Sequence, residues 1–216
     1  MGRTRWVPTP IWRGQSCYII GGGPSLKSFS FETLRGRNVL GCNAAFYLGV
    51  EIVPLTIFGD IKFLTQHQAG LLHYVEAGGK VVTNSAQRRN EPVPEWLHCM
   101  QKKNMGLATD GLGWNGNTGA SAINLALLLG ADTIYLLGFD MQVDTKGMTN
   151  FHNAYVHPSK PSAYSRFLRG MKWVAKDLPR LFQNKHVINL EDGTSVLECF
   201  PKESLKAHFS KRKVAV

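Results

Sequence analysis

Apolar residues recur along this chain in short continuous runs, each closed by glycine, asparagine or aspartate. Cys17, Tyr18, Ile19 and Ile20 make the first, and three glycines follow it. A run that is apolar at successive positions, rather than at alternate ones, suits a strand covered on both faces of a parallel sheet. The pattern returns at residues 39–42, 53–58, 80–83, 133–137 and 186–190. Helical periodicity fills much of the space between. Residues 61–76 form one candidate helix, closed by Gly78 and Gly79. Residues 120–129 are apolar on nearly every side, which predicts a helix in the middle of the protein with Asn117 or Thr118 as its N-cap and Gly130 as its stop. Residues 163–182 carry Phe167, Met171, Val174 and Leu178 on one face and Arg166, Arg169, Lys172, Lys176 and Arg180 on the other, with Pro179 weakening the last turn. Residues 26–34 read as a short helix or turn, and a short helix falls near residues 202–209.

Strands alternating with helices predict an α/β fold: a single Rossmann-like domain with a mostly parallel sheet and helices on both faces. In such sheets ligands bind outside the carboxyl ends of the strands. The polar residues of interest fall there: Gly21 to Ser25 after the first strand, Asn43 after the second, Asp60 after the third, Asn84 after the fourth, and Asp140 after the strand that follows the buried helix. The expected organisation is an arm over residues 1–15, laid over the surface or loose, the catalytic domain over 16–210, and a basic tail over 211–216. Two irregular stretches, 87–116 and 141–161, are too long and polar for core. They are expected to fold over the strand ends as a lid, the glycines from 106 to 116 supplying hinge freedom and Trp114 and Tyr155 supplying flat surfaces.

At 216 residues and 44% hydrophobic content the chain can bury one sizeable core. No run approaches the roughly 20 apolar residues of a membrane span, and the N-terminus lacks the apolar segment of a signal peptide. A cytoplasmic protein is the expectation. Cys17, Cys42, Cys99 and Cys199 are widely spread without a C-x-x-C pair, which reads as reduced thiols. The net charge of +10 suits either a solvated basic surface or attraction to a polyanion or anionic substrate.

Consecutive glycines after a buried strand let backbone N–H groups approach a phosphate, and Ser25 can add a hydroxyl donor; a tight turn that needs glycine for its angles alone is the simpler alternative. The pattern is neither G-x-G-x-x-G nor a Walker loop. Asn117, Thr118 and Gly119 head a helix whose dipole and free amides offer a second anion-friendly point. Asp60, Asp140, His152 and His157 have the chemistry for Mg²⁺ or Mn²⁺, but no ligand spacing demands a metal. Asp140 can equally accept hydrogen bonds from a ribose or from loop amides.

The run Gly21-Gly22-Gly23-Pro24-Ser25-Leu26, then Cys42-Asn43, then Asn117-Thr118-Gly119 and the segment from Leu129 to Asp140 resemble the bacterial sialyltransferase-like glycosyltransferases. The same residues resemble their relatives, the motility-accessory-factor glycosyltransferases and the archaeal 6-hydroxymethylpterin diphosphokinase. With Gly59-Asp60, Thr83-Asn84 and Cys199-Phe200-Pro201 added, the order and spacing resemble small proteins of bacteriophages and prophages over nearly the whole chain. The resemblance implies a nucleotide-sugar donor, with His157 and Asp140 as catalytic candidates and His157 as the base for the acceptor hydroxyl. Gly21, Gly22, Gly23, Pro24, Ser25, Asn43, Asp60, Asn84, Asn117, Thr118, Gly119 and Tyr155 are the nucleotide and phosphate candidates. Gly22 stands where that family has Asn, Gln142 where it has Tyr, and no Arg precedes Asn117; Tyr155 or the Arg166 stripe is the substitute source of phosphate contacts. Two other functions stay open: a Mg-dependent diphosphokinase using ATP, and a phage protein that binds nucleic acid or modifies DNA. The acceptor is a glycan or DNA, an oligomer is compatible with the sequence, and a phage-encoded chain would work in the host cytoplasm.

Overall fold

The computed structural model describes residues 5–84, 94–154 and 160–210. Within them the strands are β1 (Ser16–Ile20), β2 (Val39–Cys42), β3 (Leu55–Phe58), β4 (Lys80–Thr83), β5 (Leu97–Cys99), β6 (Lys102–Lys103), β7 (Leu112–Gly113), β8 (Thr133–Leu137), β9 (His186–Leu190) and β10 (Lys202–Glu203). The helices are α1 (Ile61–Glu76), α2 (Thr118–Leu128), α3 (Tyr164–Leu181) and α4 (Leu205–Ser210). Eight strands pair in the order β10-β9-β8-β1-β2-β3-β4-β5, every pair parallel. This is a Rossmann-like α/β domain. The strand order reverses between β1 and β8, whose registers match residue for residue from Ser16 with Thr133 to Ile20 with Leu137. The two loops leaving these strands, at Gly21 and Gly138, therefore lie side by side at the switch point, where a parallel sheet opens a crevice.

Alternation along β1 explains why the sheet is covered on both sides. Cys17 and Ile19 join the cluster that includes α2 and the apolar side of α3, while Tyr18 and Ile20 join the opposite cluster with Leu26, Leu34 and Leu205. Every residue of α2 from Gly119 to Leu127 is buried, as its all-round apolar pattern predicts. Asn117 caps it by accepting the Gly119 N–H at 2.8 Å, a contact worth about 1 kcal/mol. Asp60 caps α1 in the same way through the Lys62 N–H at 2.9 Å.

Several details depart from the sequence pattern. Residues 26–34 do not form one helix but two 3-10 turns, Pro24–Ser28 and Phe31–Leu34, because Phe29 is extended between them. The N-terminal arm enters the core. Trp12 is 6% exposed and donates its N–H to the Leu129 carbonyl, while the Trp6 N–H bonds the Cys99 carbonyl on the edge strand β5. No disulfide joins the four cysteines, and burial pushes the Cys42 thiol up to about 12. No helix among the described residues is long and apolar enough to cross a membrane.

The larger departure concerns residues 94–116. Instead of a hinged flap, this stretch adds β5 to the sheet and closes on itself through the β6–β7 pair. Buried Asn124 of α2 fastens it, accepting the Ala108 and Gly113 N–H groups at 3.0 and 2.9 Å and donating to the Ala108 carbonyl at 2.8 Å. Asn115 bonds both backbone groups of Gly106, and Asp177 of α3 accepts the Leu107 N–H. The glycines expected to supply hinge freedom serve close packing instead. A Cβ on Gly113 would lie 1.8 Å from the Gly106 carbonyl oxygen, and one on Gly111 would lie 2.5 Å from that of Gln101.

Candidate active site

A cleft of about 820 Å³ opens at the switch point. Its walls include Gly21, Gly22, Gly23, Asn43, Asp60, Asn117, Thr118, Gly119 and Asp140, so the structure brings together most of the residues that the strand-end and helix-cap arguments singled out. Pro24, Ser25 and Asn84 are not part of the wall. Asn84 is fully buried and turned into α2, donating to Ser121 Oγ at 3.2 Å. Tyr155 and His157 lie outside the described residues.

The glycine turn is a more specialised object than an amide cradle. Gly21 N–H donates to the Leu137 carbonyl and Gly23 N–H to the Gly138 carbonyl, both at 2.8 Å. Ser25 gives its N–H to Asp140 Oδ2 at 2.8 Å and its hydroxyl to Asp140 Oδ1 at 2.6 Å. Pro24 has no N–H. Gly22 is thus the residue of the turn whose N–H has no partner among the described residues, and its carbonyl accepts the Phe151 N–H at 2.9 Å. The missing side chains face protein: a Cβ on Gly21 or Gly23 would lie 2.6 Å from the Gly138 carbonyl oxygen, and one on Gly22 would lie 2.7 Å from Asn150 Oδ1. Glycine is needed here chiefly because the β1 and β8 loops press together.

Asp140 is the clamp between those loops. It is 3% exposed, and burial is the main influence on its carboxyl, raising its pKa against the lowering effect of the two Ser25 bonds. With both oxygens engaged by Ser25, and with Asp60 Oδ1 engaged by the α1 cap, the carboxylates of the cleft are already in structural use. Among the described residues no group of three or more His, Cys, Asp or Glu side chains is placed to hold a metal ion.

Positive potential in the cleft comes from other sources. The N-termini of α1 and α2 both reach the wall, bringing the partial positive charge of helix starts. Lys62 and Arg166 add full charges, and Arg166 packs where a Cβ on Gly116 would lie 3.1 Å from its Cδ. Trp114 lies against Gly59, where a Cβ would be 2.6 Å from the indole, and the Lys102 ammonium sits 4.4 Å from the ring centroid. Strained backbone collects here too: of the three non-glycine residues with positive φ among the described residues, Asn43 (51°) and Met141 (57°) line the cleft.

Sequence reasoning missed Lys62, Gln66, Thr149, Asn150 and Tyr164 as wall residues. Tyr164 begins α3, and burial followed by the Asp140 charge raises its phenol pKa. Its one sequence signal was its place at the start of a helix next to an irregular stretch.

Partly buried histidines give the protein a pH dependence. His67, His98 and His152 all have pKa values lowered from the ordinary 6.5, mainly by burial, so the folded protein favours their neutral forms. The unfolded chain takes up these protons first as pH falls. Their contribution to stability is therefore fully present above pH 6.5 and is lost as pH falls from there through the lowered values. Asp140 runs in the opposite sense, losing its contribution as pH rises through its raised pKa. Melting temperature should be lower at pH 5.5 than at 7.5, and the difference should shrink in a His98→Gln, His152→Gln double variant; an unchanged difference would remove these histidines from the account.

The fold and cleft define the class: a doubly wound α/β protein with an open cleft at the β1–β8 switch point. Within that class, the sialyltransferase CstII from Campylobacter jejuni, solved in complex with a substrate analogue, CMP-3FNeuAc, is similar with a TM-score of 0.50 and 14% identity, over 88% of this chain and 86% of that chain. Monomeric CstII gives 0.49 and 16% identity over 87% and 85% of the two chains, and CST-II with trisaccharide acceptor and CMP gives 0.47 and 15% over 87% and 85%. The likeness is one of fold. No family model and no curated protein matches the sequence.

Proposed function

We propose that the protein is a glycosyltransferase that uses a nucleotide sugar. The observation that carries this reading is the convergence of two helix N-termini, the Gly22 N–H that has no partner among the described residues, Lys62 and Arg166 on one open cleft at the switch point. Such a cleft favours a phosphate whose negative charge grows as the bond to the sugar breaks. Trp114 offers a flat surface to a nucleobase, and Asn43 and Thr118 offer hydrogen bonds to ribose or sugar hydroxyls. In this mechanism the acceptor hydroxyl attacks the anomeric carbon, the nucleotide leaves with the bonding electrons, and the hydroxyl proton passes to His157. An imidazole with a pKa near 6.5 suits that transfer at neutral pH. Asp140 supports the reaction from behind, holding the loop that carries Gly22. Because CstII was solved with CMP-3FNeuAc, cytidine-linked sugars are the first donors to try.

The test is release of nucleotide from a panel of CMP-, UDP- and GDP-sugars, with binding measured separately by calorimetry. One donor should bind and turn over. His157→Ala should lower turnover by roughly 10² to 10⁴ while leaving donor affinity near wild type. Absence of binding across the panel would defeat the proposal, and full turnover in the variant would remove His157 from it.

A further inference from the structure

A second, smaller pocket of about 330 Å³ is lined by Ala44, Tyr47, Leu48, Phe151, His152, Asn153 and Ala154. It is built from the continuations of two cleft segments. Asn43 lines the cleft and Ala44 the pocket; Asn150 lines the cleft and Phe151 the pocket. The Phe151 N–H bonds the Gly22 carbonyl, so the pocket is tied directly to the glycine turn.

Tyr47 is unusual within it. Its side chain is large, largely apolar and 56% exposed, yet it is held on three sides. Its hydroxyl bonds Nδ1 of buried His67 at 3.0 Å, and its ring lies 4.1 Å from that of Phe46. Its third support is Gly70, inside α1, where a Cβ would stand 3.2 Å from the Tyr47 hydroxyl and 3.3 Å from its Cε1. Glycine is a poor residue for a helix interior. Here it leaves room for the ring to lie against the helix. A fixed and exposed aromatic face beside an open cleft is a stacking platform.

The remaining lining narrows what would stack there. Among the described residues no Lys, Arg, Asp or Glu lines the pocket, so none of them favours a charged occupant. The exposed Asn153 amide would lose hydrogen bonds to water under a wholly apolar occupant. His152 is itself neutral-favouring through burial, and its Nδ1 accepts the Ala154 N–H at 3.3 Å. A neutral ring with an apolar C–H face and hydroxyls at its rim satisfies both walls. We propose that this pocket is a saccharide subsite, with Tyr47 as its stacking platform, and that it holds the acceptor sugar beside the donor cleft. The word acceptor rests on the glycosyltransferase reading; the saccharide site does not.

The experiment is saturation-transfer NMR on the full-length protein with methyl glycosides of glucose, galactose and N-acetylglucosamine, and with CMP in parallel samples. At least one glycoside should receive saturation in the wild type. Tyr47→Ala should abolish that signal and leave CMP unaffected. Gly70→Ala should weaken glycoside binding about 3- to 10-fold by displacing the platform, with a melting temperature no lower than wild type because alanine suits the helix better. That pairing of weaker binding with undiminished stability is not expected of a residue that only packs. Absence of any glycoside signal, or an unchanged signal in both variants, would overturn the inference even if CMP binds. Loss of the glycoside signal in Tyr47→Ala, in a protein that turns over no nucleotide sugar, would support the saccharide site while removing the transferase reading.

Discussion

Replacing Asp140 with alanine is expected to lower the melting temperature by roughly 6–12 °C, the equivalent of about 3 kcal/mol in a domain of this size. The carboxylate accepts both the Ser25 N–H and its hydroxyl, and hydrogen bonds to a charged group contribute about 1.5–3 kcal/mol each. The gross loss is offset in part because the buried carboxylate, whose pKa is raised by desolvation, is no longer held out of water. Asp140→Asn retains one oxygen acceptor, and the Ser25 hydroxyl can turn to accept from the amide, so its loss should be nearer 1 kcal/mol. Nucleotide affinity should fall at least about tenfold in the alanine variant, since Gly22 is carried by the loosened loop. Thermal unfolding and calorimetry measure both effects. An alanine variant that melts within 2 °C of wild type, about the effect of 1 kcal/mol or less, would show that the carboxylate is not the clamp.

The second large effect is expected at Asn124, which does not line the cleft. Asn124→Ala orphans the Ala108 N–H, the Gly113 N–H and the Ala108 carbonyl. Unsatisfied buried groups cost about 1–3 kcal/mol each, and some regain water as the loop opens, so roughly 4 kcal/mol is expected, or about 8–16 °C in melting temperature. The loop between β6 and β7 should then become a site of limited proteolysis, whereas the wild type resists cleavage there. Equal resistance in the two proteins would mean that the loop is held by its apolar contacts, Leu107 and Leu112, rather than by the amide.

The contrast between these residues shows what the sequence could convey. Period and run length were enough for β1, β3, β8, α1 and α2, because residues buried on every side leave continuous apolar runs and the half-buried α1 leaves a helical period, and the strand-end rule then placed Asn43, Asp60 and Asp140 near one crevice, with Asn117 added by its place as the α2 cap. Partners were not legible. Nothing in the run Gly21 to Ser25 says that four of its donors are used internally, since their acceptors, Leu137, Gly138 and Asp140, are more than a hundred residues away. The glycines from 106 to 116 misled for a related reason: a glycine that permits motion and a glycine that permits contact are written with the same letter. Asn84 occupied the right register at the end of β4, but its side chain turned toward Ser121. Tyr47 gave no signal at all, because its supports at His67 and Gly70 come from another element.

The division of labour around the cleft bears on how this protein can change. Asp140, Ser25, Asn117, Asn124 and the crowded glycines hold the loops from behind, and substitutions there unsettle the domain. Lys62, Gln66, Thr149 and Arg166 line the cleft, yet none of their side chains bonds a backbone group among the described residues. Mutations at these positions can alter what is recognised with little penalty in folding. Under the glycosyltransferase reading, a lineage carrying this scaffold can thus diversify its substrates one wall residue at a time, while selection for a stable fold acts on a different set of positions.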